Sequence, residues 1–136
     1  MAIHTLEAQS NPQYQHKPYH DLESFYWLLV YMALLYTSHS LHPLACSDLF
    51  DIKIGQEAAD AKKKWLDNYP LKITDNEPFT DILKQLTVLV KEQLTASPES
   101  PVLTHKDVLT ILDRGLSSSG WPEARCPCSS FVTCPT

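Results

Sequence analysis

The feature that most constrains the fold is an uncharged, apolar run at residues 25–36, FYWLLVYMALLY. It is shorter than the ~20 apolar residues that span a bilayer, so we interpret it as part of a soluble domain. Asp21 precedes the run and suits the N-terminus of a helix, because a carboxylate can cap backbone N–H groups there. A helix without a polar face must be enclosed by other elements. The run therefore predicts a central buried helix over about residues 21–36.

Length and charge limit what such a domain can do. The chain has 136 residues, which is enough for one modest domain. Its 11 basic and 16 acidic residues argue against binding by phosphate neutralisation, so we expect no nucleic-acid partner and no membrane partner. Only 3 glycines are present, too few for most loops that cradle phosphate groups. No signal peptide or transmembrane helix is recognisable, so the expected location is intracellular, in the cytoplasm or nucleus.

Apolar residues at three- and four-residue spacing predict three further helices, at about residues 55–67, 79–94 and 104–116. Thr104 and Asp107 form a capping-box pattern at the start of the last helix, and Gly115 is expected to end it early. Residues 96–101 predict a proline-rich loop. Strand alternation is absent, so the predicted class is all-α, with about four helices in total arranged about the central buried one.

The end of the chain has a different composition. From residue 117 serine, proline and cysteine dominate and no helical period survives, which predicts a loose segment. Cys126, Cys128 and Cys134 could supply thiolates to a metal ion. Their C-x-C spacing without a second pair is unlike structural zinc sites, so we favour a poorly ordered peptide and leave metal binding open. The predicted organisation is a domain at 1–123 and a flexible tail at 124–136.

Two other groups of residues invite a functional interpretation. His20, Asp21 and Ser24 are close in sequence, but on a helix Asp21 points about 100° away from His20 and cannot orient its imidazole. We therefore interpret them as a capped helix start and predict no catalytic residues. The run at 62–64, KKK, predicts a solvated helix face, because aspartates flank it.

Residues 18–36, PYHDLESFYWLLVYMALLY, resemble the fungal-type protein kinase family, in which such a stretch forms the central buried helix of the kinase C-terminal lobe. The opening MAI-x-x-LE is similar to the segment that follows the activation loop in that family. Residues 58–66, AADAKKKWL, residues 104–112 and the SSSGWPE stretch at 117–123 are similar to later segments. The resemblance covers about residues 1–123.

This resemblance implies an incomplete protein-kinase-like C-lobe. Asp21 is implied to hold the backbone of the catalytic loop, and the other structural residues implied are His20, Trp27, Trp65 and Trp121. His4 departs from the family, which usually has Glu there. The family uses ATP and Mg²⁺ to phosphorylate Ser or Thr, but these 136 residues contain no glycine-rich loop, no H-R-D and no D-F-G. We therefore expect this pseudokinase-like chain to bind no cofactor and to be inactive alone.

Three hypotheses remain open from the sequence. The chain is a fragment of a fungal-type protein kinase, a free-standing C-lobe remnant that binds proteins, or an unrelated small helical protein that matches by chance. A lobe without its other half leaves apolar surface exposed. We accordingly expect a marginally stable or self-associating chain that can use this surface to bind a protein partner.

Overall fold

The computed structural model describes residues 2–3, 16–51, 55–97 and 99–122. These residues form five α-helices and no strand, which confirms the all-α class. An isolated antiparallel bridge joins His39, which follows the helix that ends at Tyr36, to Ile73, which precedes the helix that begins at Glu77. The helices are α1 (Pro18–Tyr36), α2 (Ala45–Phe50), α3 (Gly55–Asn68), α4 (Glu77–Gln93) and α5 (His105–Leu116).

Helix α1 begins three residues before the predicted position. Pro18 is the first helical residue, where its missing N–H costs nothing, and the preceding Lys17 is extended, as residues before proline usually are. The Lys17 N–H donates to His20 Nδ1 (2.9 Å), and the His20 N–H donates to the Lys17 carbonyl (2.9 Å). Asp21 therefore lies inside the first turn, and its predicted capping role was wrong.

The helix in contact with most others is α4, which packs against α1, α3 and α5. Asn76 caps its N-terminus by accepting a hydrogen bond from the Phe79 N–H (3.2 Å). The six-residue helix α2 was not predicted, because so short a segment carries too little periodicity. The side chains that α4 buries are Pro78, Ile82, Leu83, Leu86, Thr87, Val90 and Gln93.

Among the described residues, other elements enclose helix α1 on one face only, so the predicted enclosure is wrong for its opposite face. Its buried face packs against α2 and α4, and its Tyr26 and Trp27 also contact side chains of α3. The opposite arc, about 140° wide at 100° per residue, carries six large apolar side chains whose exposed fractions run from 37% to 76%. We call these six residues the α1 stripe: Phe25, Leu28, Tyr31, Met32, Leu35 and Tyr36. No helix of the described chain is both long and apolar enough to cross a membrane.

Helices α4 and α5 approach closely at Gly115, which lies inside α5 and does not end it. A Cβ at this position would overlap the Ile82 side chain, so a larger residue would require the Ile82 side chain or one of the two helices to shift. The predicted cap of α5 is confirmed, since Thr104 Oγ1 accepts a hydrogen bond from the Asp107 N–H (3.2 Å).

Residues 117–122 are not loose, in contrast to the prediction. The Trp121 ring stacks on Phe79 with 6.2 Å between the ring centroids. Its indole Nε1–H donates to the Gly115 carbonyl at 2.8 Å. Gly120, just before Trp121, has a φ of 102°, a value that favours glycine. The predicted tail at 124–136 lies outside the described residues.

Candidate functional site

The most unusual polar feature is a buried cluster where residues 2–3 meet α1. Glu23 is 3% exposed, and its Oε2 accepts two hydrogen bonds. One comes from the backbone N–H of Ile3 at 2.6 Å, and the other from the indole Nε1–H of Trp27 at 2.7 Å. Ala2 and Ile3 are themselves fully buried. A single carboxylate thus anchors a chain segment that is 20 residues away in sequence.

A buried cation completes this cluster. Lys62 of α3 is 5% exposed, and its Nζ lies 5.0 Å from the centre of the Trp27 ring. Burial lowers the pKa of the Lys62 ammonium, while the negative charge of Glu23 acts in the opposite direction. We call Ile3, Glu23, Trp27 and Lys62 the anchor cluster. The prediction of a solvated face at 62–64 was therefore wrong for Lys62, although Lys64 is exposed.

We interpret the anchor cluster as a structural feature that positions parts of the chain. The Glu23 carboxylate accepts from both buried donors, the Ile3 N–H and the Trp27 indole N–H, so neither donor is left unsatisfied. Two surface pockets that described residues line, of about 380 Å³ and 260 Å³, contain no residue of the cluster. The hydrogen bond from Ile3 to Glu23 fixes residues 2–3 against α1, and Lys62 of α3 packs on the Trp27 ring of the same helix.

A second buried network links α1, α3 and α4. The Tyr26 hydroxyl and Thr87 Oγ1 lie 2.6 Å apart, and Trp65 Nε1–H donates to the Tyr26 hydroxyl at 3.1 Å. Thr87 Oγ1 in turn donates to the Leu83 carbonyl at 2.7 Å. Burial raises the pKa of Tyr26 to about 12, so its hydroxyl stays neutral at physiological pH. This network joins three helices through polar contacts inside the core.

His20, Asp21 and Ser24 do not converge, as expected from their helical spacing. The His20 ring accepts from the Lys17 N–H, and Ser24 Oγ donates to the His20 carbonyl at 3.0 Å. Asp21 is exposed and pairs with His16 Nε2 at 2.7 Å. The role that the resemblance implies for Asp21, holding a catalytic loop, stays a prediction.

The three predicted tryptophan anchors occupy three separate places. Trp27 belongs to the anchor cluster, Trp65 to the Tyr26 network, and Trp121 to the stack at the end of α5. All three use the indole N–H in a hydrogen bond, as buried tryptophans usually do. Each of them holds two segments of the chain together.

Sequence reasoning missed Glu23 and Lys62. A signal for Glu23 was present, because a carboxylate one turn before Trp27 can accept the indole N–H along the same helix face. No local signal marked Lys62, since it stands beside two other lysines. Only the packing of α3 against α1 distinguishes it from them.

The described residues contain no group of three or more His, Cys, Asp or Glu side chains that could hold a metal ion. Of the cysteines, Cys46 is half-buried and free, and burial raises the pKa of its thiol. The predicted metal candidates Cys126, Cys128 and Cys134 lie outside the described residues, as does His4.

Comparison of the chain with known protein families, with curated proteins and with solved structures gave no significant match.

Proposed function

We propose that this chain is the C-terminal-lobe segment of a fungal-type protein kinase and that the segment alone is inactive. The activity of that family is ATP-dependent phosphorylation of Ser or Thr in proteins. The observation that carries the proposal is the hydrogen bond from the Ile3 N–H to Glu23. It joins the two segments, MAI at the start and HDLES in α1, that carry the first part of the resemblance.

The positions that carry the resemblance in α3 also support it. Of the stretch AADAKKKWL, the family-like positions are Ala58, Ala59, Lys62, Lys63, Trp65 and Leu66. All of these except Lys63 are buried, and they are the buried residues of α3. A chance match has no reason to select the core-facing side of a helix. The positions of α3 that match the family are therefore almost the same positions that pack into the core.

The α1 stripe supports the same proposal. In the kinase interpretation the catalytic loop and the chain before it cover the central helix. Because the 136 residues contain no sequence motif of a catalytic loop, this interpretation predicts an uncovered apolar face on α1. An unrelated helical protein that binds a partner would also expose such a stripe. A separate experiment must therefore distinguish the kinase fragment from a protein-binding module.

The predicted lack of activity rests on what phosphoryl transfer requires. A kinase must hold the ATP phosphates and Mg²⁺ and must position the attacking hydroxyl. The 136 residues contain no sequence motif for any of these tasks. We expect no transfer above background with ATP, Mg²⁺ and a general protein substrate. Clear transfer that is lost on mutation of Asp21 would contradict the proposal.

The decisive experiment is to read the transcript and the native protein around Met1. An in-frame H-R-D and D-F-G upstream, with matching peptides in the native protein, is the expected result. A transcript and a native protein that both begin at Met1 would overturn the kinase-fragment proposal.

A second candidate function is a stand-alone helical module that binds proteins through the α1 stripe. The specific observation in its favour is the exposure of Leu28, Met32 and Tyr36, at 53%, 46% and 76%. A native protein that starts at Met1 and co-purifies with one defined partner would favour this module. Polar substitutions in the stripe should abolish binding of this partner. Binding that persists would show that the partner contacts another surface.

A further inference from the structure

The loop between α4 and α5 contains two Ser-Pro dipeptides, Ser97-Pro98 and Ser100-Pro101. The loop is fixed at its C-terminal side. The buried Gln93 side chain accepts hydrogen bonds through Oε1 from the N–H groups of Val102 (2.7 Å) and Leu103 (2.9 Å). The two serines precede this tether and are exposed. The tether therefore holds the chain just after Ser100 and Pro101 and leaves both serine side chains at the surface.

Ser100 is the more available of the two serines. Within the described residues its hydroxyl forms no hydrogen bond, and its N–H donates to the Ser97 carbonyl at 3.0 Å. The Ser97 hydroxyl, in contrast, donates to the Glu99 carboxylate.

We propose that Ser100 is a phosphorylation site for protein kinases that require proline directly after the serine. Pro101 has no N–H, so an active site that offers a cleft for the ring and no acceptor at that position selects this dipeptide. In the reaction the Ser100 hydroxyl oxygen bonds to the γ-phosphorus of ATP. The bond from that phosphorus to the β,γ-bridging oxygen breaks, ADP leaves, and the hydroxyl proton passes to the catalytic base of the kinase. This proposal is independent of the proposed function.

The surroundings of the loop indicate what the phosphate does. Pro101 and Lys17 line the same 260 Å³ pocket, together with Thr104 and His105. The pKa of Glu99 is lowered, first by the hydrogen bond from Ser97 and also by the positive charge of Lys17. Lys17 is therefore within electrostatic reach of this loop, at the N-terminal end of α1. A phosphate adds a charge of roughly −1.5 to −2 there and ties the loop to the start of α1.

The first test is phosphorylation of the full chain by a purified mitogen-activated protein kinase with ATP and Mg²⁺, followed by tandem mass spectrometry. We expect phosphate on Ser100, loss of that phosphate in Ser100→Ala, and a rate at least about tenfold lower in Pro101→Ala. Ser97→Ala is the matched control and should keep the rate within about twofold. A Ser-Pro peptide in the same reaction is the positive control that shows the added kinase to be active. Phosphate on Ser97 alone, or on no serine, overturns the proposal.

The second test measures the effect of the phosphate. The phosphorylated chain should melt about 2–5 °C higher than the unmodified one, because new charge-assisted hydrogen bonds form to Lys17. Phosphorylated Lys17→Gln should lose most of this shift relative to its own unmodified form. An equal shift in Lys17→Gln, or a lower Tm after phosphorylation, would contradict the assigned contact.

Discussion

Glu23 holds the backbone nitrogen of Ile3 at 2.6 Å from inside a helix that is otherwise apolar over its following turns. Since both partners are buried, neither can exchange this bond for one to water. The bond therefore makes the position of residues 2–3 depend on one carboxylate of α1.

Replacement of Glu23 tests this dependence. Glu23→Ala leaves the Ile3 N–H and the Trp27 indole N–H without their acceptor, and we expect a loss of about 2–5 kcal/mol in the free energy of unfolding. Glu23→Gln should lose less, because both donors bind the same oxygen and an amide oxygen can take its place. Urea unfolding measures both values. The exposed Glu92→Ala is the matched control, expected within about 0.5 kcal/mol of wild type. A Glu23→Ala variant as stable as the control would contradict the role of the anchor cluster.

The contact between Gly115 and Ile82 predicts a destabilising Gly115→Ala. Alanine is favoured over glycine inside a helix by about 1 kcal/mol, but its Cβ would overlap the Ile82 side chain. We expect a net loss of about 1–3 kcal/mol in the free energy of unfolding. In an Ile82→Ala background the overlap disappears, so the same change should become neutral or stabilising. The double-mutant cycle is measured by urea unfolding, and additive effects would contradict the close approach of α4 and α5.

The α1 stripe predicts self-association. We expect sedimentation to show oligomers that increase with concentration, and a Tm that depends on concentration. Leu28→Gln/Met32→Gln should reduce association, because it makes the centre of the stripe polar. The control is Leu109→Gln/Leu116→Gln, which alters two exposed leucines of α5 and should leave association unchanged. An equal effect of the two double variants would show that general hydrophobicity, and not the stripe, drives association.

The raised pKa of Tyr26 leads us to expect a lower free energy of unfolding at high pH. Its folded pKa of about 12 lies above the ordinary tyrosine value of about 10, so the folded state holds the proton more tightly than the unfolded state. Its contribution is therefore complete below about pH 10 and is lost as the pH rises towards 12, by about 2–3 kcal/mol in total. Urea unfolding between pH 9 and 12 measures the decline. Tyr26→Phe should show a shallower decline, and an unchanged slope in that variant would contradict the assignment.

Much of the local structure could be predicted. The all-α class, the starts of α3 and α5 and the cap at Thr104 follow from periodicity and capping chemistry, which act between residues close in sequence. The start of α1 was misplaced because Asp21 is a better capping residue than Lys17 in isolation. Proline at position 18 outweighs that preference, since it fits only the first turn.

The candidate site was less predictable, because its residues come from separate segments. Lys62 was expected in solvent with its neighbours, and only the approach of Trp27 and Glu23 makes its burial tolerable. Residues 117–122 carry no helical period, yet Trp121 finds a partner ring on α4. Such contacts depend on where helices lie in space, which local patterns do not encode.

The sequence alone determined the approximate positions of the four longer helices, because hydrogen bonding and side-chain spacing within a helix are local. It did not determine which face of α1 is buried, because the run at 25–36 is apolar all round and gains similar free energy from burying either side. The tertiary structure decided that question. Helices α2 and α4, with Lys62 and Trp65 of α3, cover the face that carries Tyr26 and Trp27, and the α1 stripe is left exposed.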